Sequence, residues 1–273
     1  MSYKILTVLS DFGYWGEELI APLEILEKSC EIEFATPKGT KPRALPPSLD
    51  SNYKDPPLGR CVTSPEMAKK AKELDESNKL NNPRNLSTWL PERPYLSSTN
   101  YLRELEKYYG SLEKIEQELN DYSALLLVGG SGPIVDMANN QRVHDLILAF
   151  YKMDKPIAAE CYGVACLAFA RDFRERKSII YGKHVTGHPI EYDYKDGTGF
   201  YGVDFNMGPP PYPLEYILRD AVGPNGGYHS NVGNKYSVIV DYPFITSRST
   251  ASSYLCGEKL LECIEKGLKR YGW

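Results

Sequence analysis

The segment KILTVL at residues 4–9 opens the stretch of sequence that decides the fold, and EIEFA at residues 31–35 closes it. KILTVL has the apolar composition of a short buried strand, and EIEFA alternates between polar and apolar residues as a second strand does. The segment between them carries apolar residues at helical spacing: Ile20, Leu23 and Leu26. This spacing predicts a helix over residues 17–28, in which Pro22 is tolerated only in the first turn. A strand, a helix and a strand in this order form a βαβ unit. The sequence therefore predicts an α/β fold with a doubly wound, mainly parallel sheet and helices on both faces.

The same alternation of strands and helices returns in the second half of the chain. ALLLV at residues 124–128 predicts a fully buried strand, residues 143–150 predict a helix, and residues 156–160 predict another strand. The remaining elements are a strand pair and an amphipathic final helix, at residues 237–241, 244–246 and around 261–268. We interpret the whole chain, residues 1–273, as a single α/β domain.

Two stretches depart from this pattern and are rich in residues that break regular structure. Residues 36–98 contain many Pro, Asn, Ser and Lys residues and predict an insertion with one short helix over residues 65–74. Residues 191–234 are rich in Gly, Pro and Tyr and predict a lid-like loop region whose aromatic residues roof a pocket. Residues 101–119 have helical spacing, but the Gly-Ser pair at residues 110–111 predicts a break into two helices.

Charge and hydropathy exclude two classes of partner. The chain has 32 Lys and Arg residues against 36 Asp and Glu residues, a net charge of −4, so it lacks the basic excess of a general nucleic-acid binder. The hydrophobic content is 42%, and no apolar run has the length of a membrane span. Residues 1–9 lack the features of a secretory signal. We therefore expect a cytoplasmic protein that binds neither nucleic acid nor membranes.

The cysteine pattern favours no metal site and no disulfide framework. No CxxC pair or metal-finger spacing occurs among Cys30, Cys61, Cys161, Cys166, Cys256 and Cys263. In a reducing compartment most of these residues are expected to be buried thiols. The sequence predicts no metal and no cofactor.

Cys161 is the strongest candidate for chemistry. It lies in IAAECYGVACLAFA, residues 157–170, where a strand of small residues meets a helix-forming run. This junction is typical of a nucleophile elbow, in which Gly163 supplies the lack of bulk that a strained turn requires. The amino-terminal end of the following helix is expected to lower the pKa of the thiol. The alternative is that Cys161 is a small buried apolar residue.

Two further segments are expected at the same edge of the sheet, because loops that follow parallel strands share one crevice. The loop GGSG at residues 129–132 follows a buried strand, and the backbone amides of Gly130 and Ser131 are candidates to face Cys161. A phosphate loop or a plain tight turn is the alternative. Glu18 lies near the end of the first strand and is a candidate to share a proton with the thiol. Alternatively, Glu18 is only a carboxylate that interacts favourably with the positive end of the helix dipole, a role that Glu17 can fill as well.

Among the four histidines, we favour His188 as the partner of Cys161. It lies in KHVTGHP, where strand alternation puts His184 and His188 on one face and His188 at the strand end. His229 lies in a turn and is the second choice, whereas His144 lies on a helix.

Several blocks of the chain together resemble the ThiJ/PfpI superfamily, whose fold is the flavodoxin-like fold of class I glutamine amidotransferases. The superfamily includes the glyoxalase III and parkinsonism-associated deglycase branches. The blocks are ELIAPLEIL (18–26), ATPKGTKPRALPPSLD (35–50), DYSALLLVGGSG (121–132), AAECYGVACLA (158–168) and ITSRSTASS (245–253). Their order along the chain carries the resemblance.

The resemblance implies roles for matching residues. It makes Cys161 the nucleophile, Glu18 the acid, and Gly130, Ser131 and Tyr162 the residues whose backbone amides bind an oxyanion. This chain departs from many relatives because Tyr162 stands where they carry His, and GGSG replaces GGHG. In the deglycase branch the histidine comes from a VTxHP segment, which VTGHP at residues 185–189 resembles.

We therefore predict a cofactor-independent enzyme with a cysteine nucleophile that acts on a small electrophilic substrate. The implied chemistry is glyoxalase III-like, with Glu18 as proton shuttle and His188 assisting, or a related hydratase or hydrolase reaction on an isonitrile or amide. Trp15 and His229, with Trp89 as a neighbour, are candidates for the substrate pocket. One alternative is a redox sensor or chaperone-like protein that acts through oxidation of Cys161, and another is a non-catalytic scaffold. Relatives commonly form dimers, so a homodimer is expected. Strand alternation points Glu160 away from Cys161, so it is either a buried structural acid or part of a network behind the site.

Overall fold

A central sheet of eight strands runs through the protein, and the computed structural model describes residues 3–193 and 213–273. The strands of the described residues are β1 (Tyr3–Val8), β2 (Cys30–Thr36), β3 (Lys54–Asp55), β4 (Arg60–Cys61), β5 (Arg84–Asn85), β6 (Ala124–Leu127), β7 (Ile157–Glu160), β8 (His184–Val185), β9 (Gly227–Tyr228), β10 (Val238–Asp241), β11 (Phe244–Ser247) and β12 (Arg270–Tyr271). The α-helices of the same residues are α1 (Gly16–Leu26), α2 (Pro65–Glu76), α3 (Leu86–Trp89), α4 (Tyr101–Leu119), α5 (Gly132–Asp136), α6 (Gln141–Lys152), α7 (Ala165–Phe169), α8 (Leu214–Val222) and α9 (Ser253–Lys266).

The main sheet has the strand order β12-β10-β11-β7-β6-β1-β2-β5. All neighbours from β11 to β5 pair in parallel, and only β10 runs antiparallel to its two neighbours. The register aligns Ile5 of β1 with Ile32 on one side and with Ala124 on the other. This arrangement confirms the predicted doubly wound, mainly parallel α/β fold. The loops after β1, β6, β7 and β11 consequently open on one edge of the sheet.

An apolar layer covers each face of the sheet. One layer packs α1 and α9 against the strands, and Leu19 and Leu260 are fully buried in it. The other layer packs α4, α6, α7 and α8, and Phe150 is fully buried in it. Successive residues of β6 serve both layers, because Leu126 belongs to the first and Leu127 to the second. Burial of both faces explains why the segment ALLLV is continuously apolar.

Pro22 lies in the second turn of α1, so the expectation that it is tolerated only in the first turn is wrong. A proline at this position cannot donate the helical hydrogen bond to the carbonyl of Glu18. Its backbone packs closely on α9, where a Cβ added at Gly257 would lie 2.9 Å from the Cα of Pro22. Packing of α1 against the sheet and against α9 therefore outweighs the lost hydrogen bond.

Residues 101–119 form one helix, α4, and not the two helices that the sequence predicts. A Cβ added at Gly110 would meet no atom within 4 Å, so this glycine faces open space. A glycine inside a helix costs only about 1 kcal/mol. Tyr108, Ile115 and Leu119 are buried on the inner side of α4, and their packing holds the helix together across Gly110.

The predicted insertion, residues 36–98, is attached to the sheet at several points. Its helix α2 begins where Ser64 accepts a hydrogen bond from the backbone N–H of Met67 at 3.1 Å. Asp75 of α2 accepts a hydrogen bond from the buried hydroxyl of Tyr14 at 3.0 Å. The strand β5 joins the main sheet beside β2, and β3 pairs with β4 in a separate hairpin.

The predicted lid-like region, residues 191–234, is only partly described. Residues 194–212, which include most of its aromatic segment from Phe200 onward, lie outside the described residues. The part from residue 213 onward contains α8 and β9, where the sequence predicts mainly loop. None of the helices in the described ranges combines the length and apolar character needed to cross a membrane.

Candidate functional site

Cys161 occupies a strained turn directly after β7. It opens a short 3-10 helix, Cys161–Val164, that leads into α7, and its φ of 49° lies in the left-handed region that residues with a Cβ rarely adopt. A Cβ added at Gly163 would lie 3.0 Å from the carbonyl oxygen of Leu127, so a larger residue crowds β6. The local sequence therefore folds as the predicted elbow and holds the sulfur at the carboxyl edge of the sheet.

Four groups surround the sulfur of Cys161. The Nδ1 atom of His188 lies 3.4 Å from Sγ, and the carboxyl group of Glu18 forms a hydrogen bond with the thiol. The backbone N–H groups of Gly130 and Tyr162 also point at the sulfur. The structure thus brings together the residues that the sequence singles out at four separate places in the chain.

Burial raises the pKa of the Cys161 thiol well above its ordinary value, and the neighbouring Glu18 raises it further. The backbone N–H groups of Gly130 and Tyr162 act in the opposite direction but do not outweigh burial. The expectation of a thiol acidified by a helix end is therefore wrong, because burial of the sulfur outweighs the N–H groups at the start of the helical segment. The thiolate requires a base beside it, and His188 occupies that position.

Glu18 is the buried acid of the site. It lies in the first turn of α1, and its side chain packs under Gly129 so closely that a Cβ added there would come within 3.0 Å of Oε2. Burial raises the pKa of this carboxyl to about 8, with a smaller contribution from Glu17, while the hydrogen bonds to Cys161 and to the backbone of Gly130 oppose the shift. Glu18 consequently carries its proton at neutral pH and can donate a hydrogen bond.

The raised pKa of Glu18 predicts that the free energy of unfolding depends on pH. The folded protein binds this proton more tightly than the unfolded chain, so the contribution of Glu18 is present at low pH and is lost as pH rises from the ordinary carboxyl pKa of 4.5 toward 8. We expect Glu18→Gln to flatten the pH dependence of the free energy of unfolding by up to about 1.4 kcal/mol per pH unit in this window. Urea unfolding at several pH values measures the slope, with Glu76→Gln on α2 as the matched control. An unchanged slope in Glu18→Gln contradicts a buried neutral carboxyl.

His188 is held between the sulfur and a carboxylate. Its Nε2 atom lies 3.2 Å from Oδ1 of Asp193, and its ring stacks on the ring of Tyr162 with 4.2 Å between centroids. The hydroxyl of Tyr162 donates a hydrogen bond to the same oxygen of Asp193. Both side chains that contact Asp193 are thereby fixed in orientation, and Nδ1 of His188 is directed at Cys161.

The sulfur opens into a cavity of about 370 Å³. Of the residues selected from the sequence, seven line this cavity: Trp15, Glu18, Gly130, Ser131, Cys161, Tyr162 and His188. The outer part of the cavity is formed by the β3–β4 hairpin with Asp55 and Arg60, by residues 232–235, and by the segment that starts at Arg248. The volume suits a small substrate.

The structure corrects the prediction that His229 belongs to the substrate pocket. His229 does not line the cavity, and its Nε2 atom lies 2.8 Å from Nδ1 of His184. The ring of His184 also stacks on Trp273, so His184 and His188 do not share a site. The strand that carries His184 ends at Val185, and the alternation used to pair the two residues stops there.

Trp89 also lies away from the cavity. Its indole N–H donates a hydrogen bond to Glu118 at 2.9 Å, and the guanidinium of Arg84 lies 4.2 Å from its ring centroid.

Glu160, which precedes the nucleophile, is fully buried on the far side of the strand and accepts a hydrogen bond from Ser247 at 3.0 Å. Burial raises the pKa of Glu160 well above the ordinary value, and the neighbouring Glu18 raises it further. Glu160 therefore lies beneath the site and does not line the cavity.

The sequence reasoning missed Asp193 and Arg248. Asp193 follows His188 by five residues in PIEYD, and Arg248 stands inside the block ITSRS. A carboxylate near a chosen histidine and a single basic residue at the end of a strand were the available signals. Over residues 3–193 and 213–273, no group of three or more His, Cys, Asp or Glu side chains is placed to hold a metal ion.

Residues 9–186 match the family described as ThiJ/PfpI family-like, a range that includes Glu18 and Cys161 but ends before His188. The chain is similar to glutamine amidotransferase-like class 1 domain-containing protein 1 of Bos taurus, with 26% identity over 162 residues, 56% of this chain and 68% of the relative. Two solved structures share the fold. The Rapid Encystment Protein 24 kDa of Francisella tularensis has a TM-score of 0.66 at 20% identity and covers 96% of this chain and 99% of its own. Glyoxalase III of Candida albicans has a TM-score of 0.58 at 15% identity, with coverages of 97% and 98%.

Proposed function

Because this chain belongs to the ThiJ/PfpI-like family, we propose that it is an enzyme in which Cys161 attacks an electrophilic carbon of a small substrate. An aldehyde or related carbonyl compound is the preferred substrate class. The single observation that carries the proposal is the position of the Cys161 sulfur, 3.4 Å from a histidine and hydrogen-bonded to a buried acid, at the end of an open cavity.

The first step of the proposed reaction forms the sulfur–carbon bond. His188 takes the proton of the thiol at Nδ1, and Asp193 stabilises the positive charge that develops on the ring. The thiolate then attacks the carbonyl carbon, and the electron pair of the C=O bond moves to the oxygen. Glu18, which is protonated at neutral pH, gives its proton to this oxygen. The N–H groups of Gly130 and Tyr162 are available as hydrogen-bond donors on the same side.

For an α-oxoaldehyde, the reaction would continue without any added reductant or oxidant. The Glu18 carboxylate formed in the first step takes the proton from the attacked carbon and returns it to the neighbouring carbon. The hydroxyl proton on the first carbon's oxygen passes to the oxygen of the second carbon, so the first carbon is oxidised to a thioester and the second is reduced to an alcohol. Water then adds its OH to the acyl carbon and its remaining proton to the departing sulfur, which releases a hydroxy acid and restores the thiol, and the proton held by His188 returns to Glu18. The glyoxalase III name of the Candida albicans neighbour supports this version of the proposal.

Substrate profiling of the wild-type protein tests the proposal. Dicarbonyls, isonitriles and amides are supplied under one set of conditions, and consumption and product are followed by NMR. We expect consumption of at least one α-oxoaldehyde with formation of the corresponding hydroxy acid. If only an amide is hydrolysed, the cysteine nucleophile stands but the carbonyl class is wrong. Consumption of none of the three classes contradicts the proposed function.

Asp193 is a positioning residue in this mechanism. In Asp193→Asn the carboxylate that faces Nε2 of His188 is lost, so we expect kcat to fall by about 100-fold while KM changes by less than about threefold. Tyr162→Phe serves as the matched control, because it removes the phenol that contacts the same carboxylate and keeps the backbone N–H. Steady-state kinetics on both variants measure the changes in kcat and in KM separately. Equal losses in both variants would contradict a specific role of Asp193.

A further inference from the structure

The outer part of the candidate active cavity carries three cationic side chains. Arg60 extends from β4, Lys235 lies just before β10, and Arg248 follows β11 directly, and all three line the cavity that contains Cys161. Within residues 3–193 and 213–273, none of the three nitrogen-bearing groups lies within 4.0 Å of a carboxylate oxygen. Elsewhere in the described chain, lysines and arginines with a nearby acid are common, as in the pair Lys70–Glu24 at 2.7 Å. Among the described residues, none of the three cations of the cavity is therefore neutralised by a close ion pair.

Arg248 places a buried positive charge behind the rim. The residue is only 2% exposed, and its Nε atom has no hydrogen-bond partner in the described residues. The other guanidinium nitrogens donate to the backbone carbonyls of Ser230, Asn231, Asn234 and Lys235. Carbonyl dipoles satisfy these donors without cancelling the unit charge, and a charge in a low-dielectric environment acts over a longer distance than one in water. The same hydrogen bonds hold the loop that carries Lys235 against the cavity.

The acidic groups of the cavity offset these cations only in part. Three carboxyl groups line it, and Glu18 is protonated at neutral pH because burial raises its pKa to about 8. Glu17 accepts a hydrogen bond from Thr250, and Asp55 accepts one from the backbone N–H of Leu58 at 3.0 Å. With Glu18 protonated, the lining carries three cationic side chains against two carboxylates, a surplus of one positive charge. The rim of the cavity is consequently positive.

We propose that the natural substrate carries a carboxylate group, which binds at the rim between Arg60 and Lys235 while its carbonyl carbon reaches Cys161. This inference rests on the proposed function and narrows it from small carbonyl compounds to small oxo acids. The buried charge of Arg248 favours the carboxylate from behind, and the exposed side chains of Arg60 and Lys235 donate hydrogen bonds to it. A neutral aldehyde gains nothing from these three groups.

Alkylation of Cys161 with two matched reagents tests the proposal without relying on turnover. Both reagents transfer the same kind of carbon atom to the sulfur. Iodoacetate carries a carboxylate where iodoacetamide carries a neutral amide. The second-order rates at Cys161 are measured at low ionic strength by mass spectrometry of the peptide, and their ratio is compared with the ratio for glutathione. We expect the ratio for Cys161 to exceed that of glutathione by about tenfold, as a positive cavity attracts an anion.

The double variant Arg60→Gln with Lys235→Gln should lower this ratio by at least about fivefold, and salt near 1 M should do the same to the wild type. Lys72→Gln, which removes one exposed charge from α2 outside the cavity, should leave the ratio unchanged. Thermal unfolding verifies that the double variant is folded. A ratio equal to that of glutathione, or one that the double variant does not change, overturns the carboxylate site. A raised ratio in a protein that turns over no carbonyl compound would reject the proposed function and keep the anion site, so the two failures are distinguishable.

Discussion

Cys161→Ala is expected to lower carbonyl turnover by about 10⁴-fold or more, because the variant lacks the sulfur that forms the covalent intermediate. The sulfur is bordered by Glu18, His188 and two backbone N–H groups, which in the proposed mechanism transfer protons or bind the oxygen and do not bond to carbon. The fold should survive, since Ala keeps the Cβ that the strained backbone at this position already accommodates. Steady-state kinetics and thermal unfolding on the same preparation measure both effects.

A second cysteine in the same cavity provides the control for this prediction. Cys61 lies at the end of the β3–β4 hairpin, is exposed, and lines the cavity as a free thiol. It has no histidine beside it in the described structure, so Cys61→Ala should change kcat by less than about threefold. Full turnover in Cys161→Ala would show that the reaction does not use this sulfur and would remove the nucleophile from the proposal.

Gly129→Ala is expected to destabilise the protein by about 3 kcal/mol and to lower turnover by at least about 100-fold. A Cβ at this position would come within 3.0 Å of Oε2 of Glu18, of the carbonyl oxygen of Glu160 and of Cβ of Cys161. The carbonyl belongs to the backbone of a central strand, and the other two groups are buried parts of the site. None of the three can move aside without displacing the nucleophile or the acid.

Gly110→Ala is the matched control for Gly129→Ala and should have the opposite sign. A Cβ at Gly110 would meet nothing within 4 Å, and the residue lies inside α4. We expect Gly110→Ala to stabilise the protein by about 0.5–1 kcal/mol, because Ala loses less backbone entropy than Gly in a helix. Urea unfolding of both variants measures the two changes. Wild-type stability and turnover in Gly129→Ala would contradict the close packing of Glu18 against Cys161.

The fold was predictable because its decisive signals are local in sequence. Buried parallel strands are continuous apolar runs, and KILTVL and ALLLV are sufficient to identify two of them. The errors concern elements whose local preference is overruled by tertiary packing. Pro22 is tolerated inside α1 because α9 packs on it, and α4 continues through Gly110 because its inner side is buried. Neither contact can be read from the residues next to the proline or the glycine.

The placement of the site residues was predictable where they follow parallel strands. Such strands end at a common edge, so Gly130 and Cys161 had to lie near one another once the strand direction was known. His229 was misplaced because its pairing with His184 depends on β8 and β9, two strands of two residues each that leave no periodic signal. The pKa of Cys161 was misjudged in direction because burial of the sulfur is a property of the assembled fold.

The way in which Arg248 holds the rim has a consequence for how this scaffold can diversify. All of its hydrogen bonds to the loop end on main-chain oxygens, which every amino acid provides. Side chains at the loop positions 232, 234 and 235 can therefore be exchanged while the path of the loop stays fixed and the reactive sulfur stays undisturbed. Selection, natural or in the laboratory, can retune what the protein accepts by changing a few exposed residues and leaving its chemistry intact.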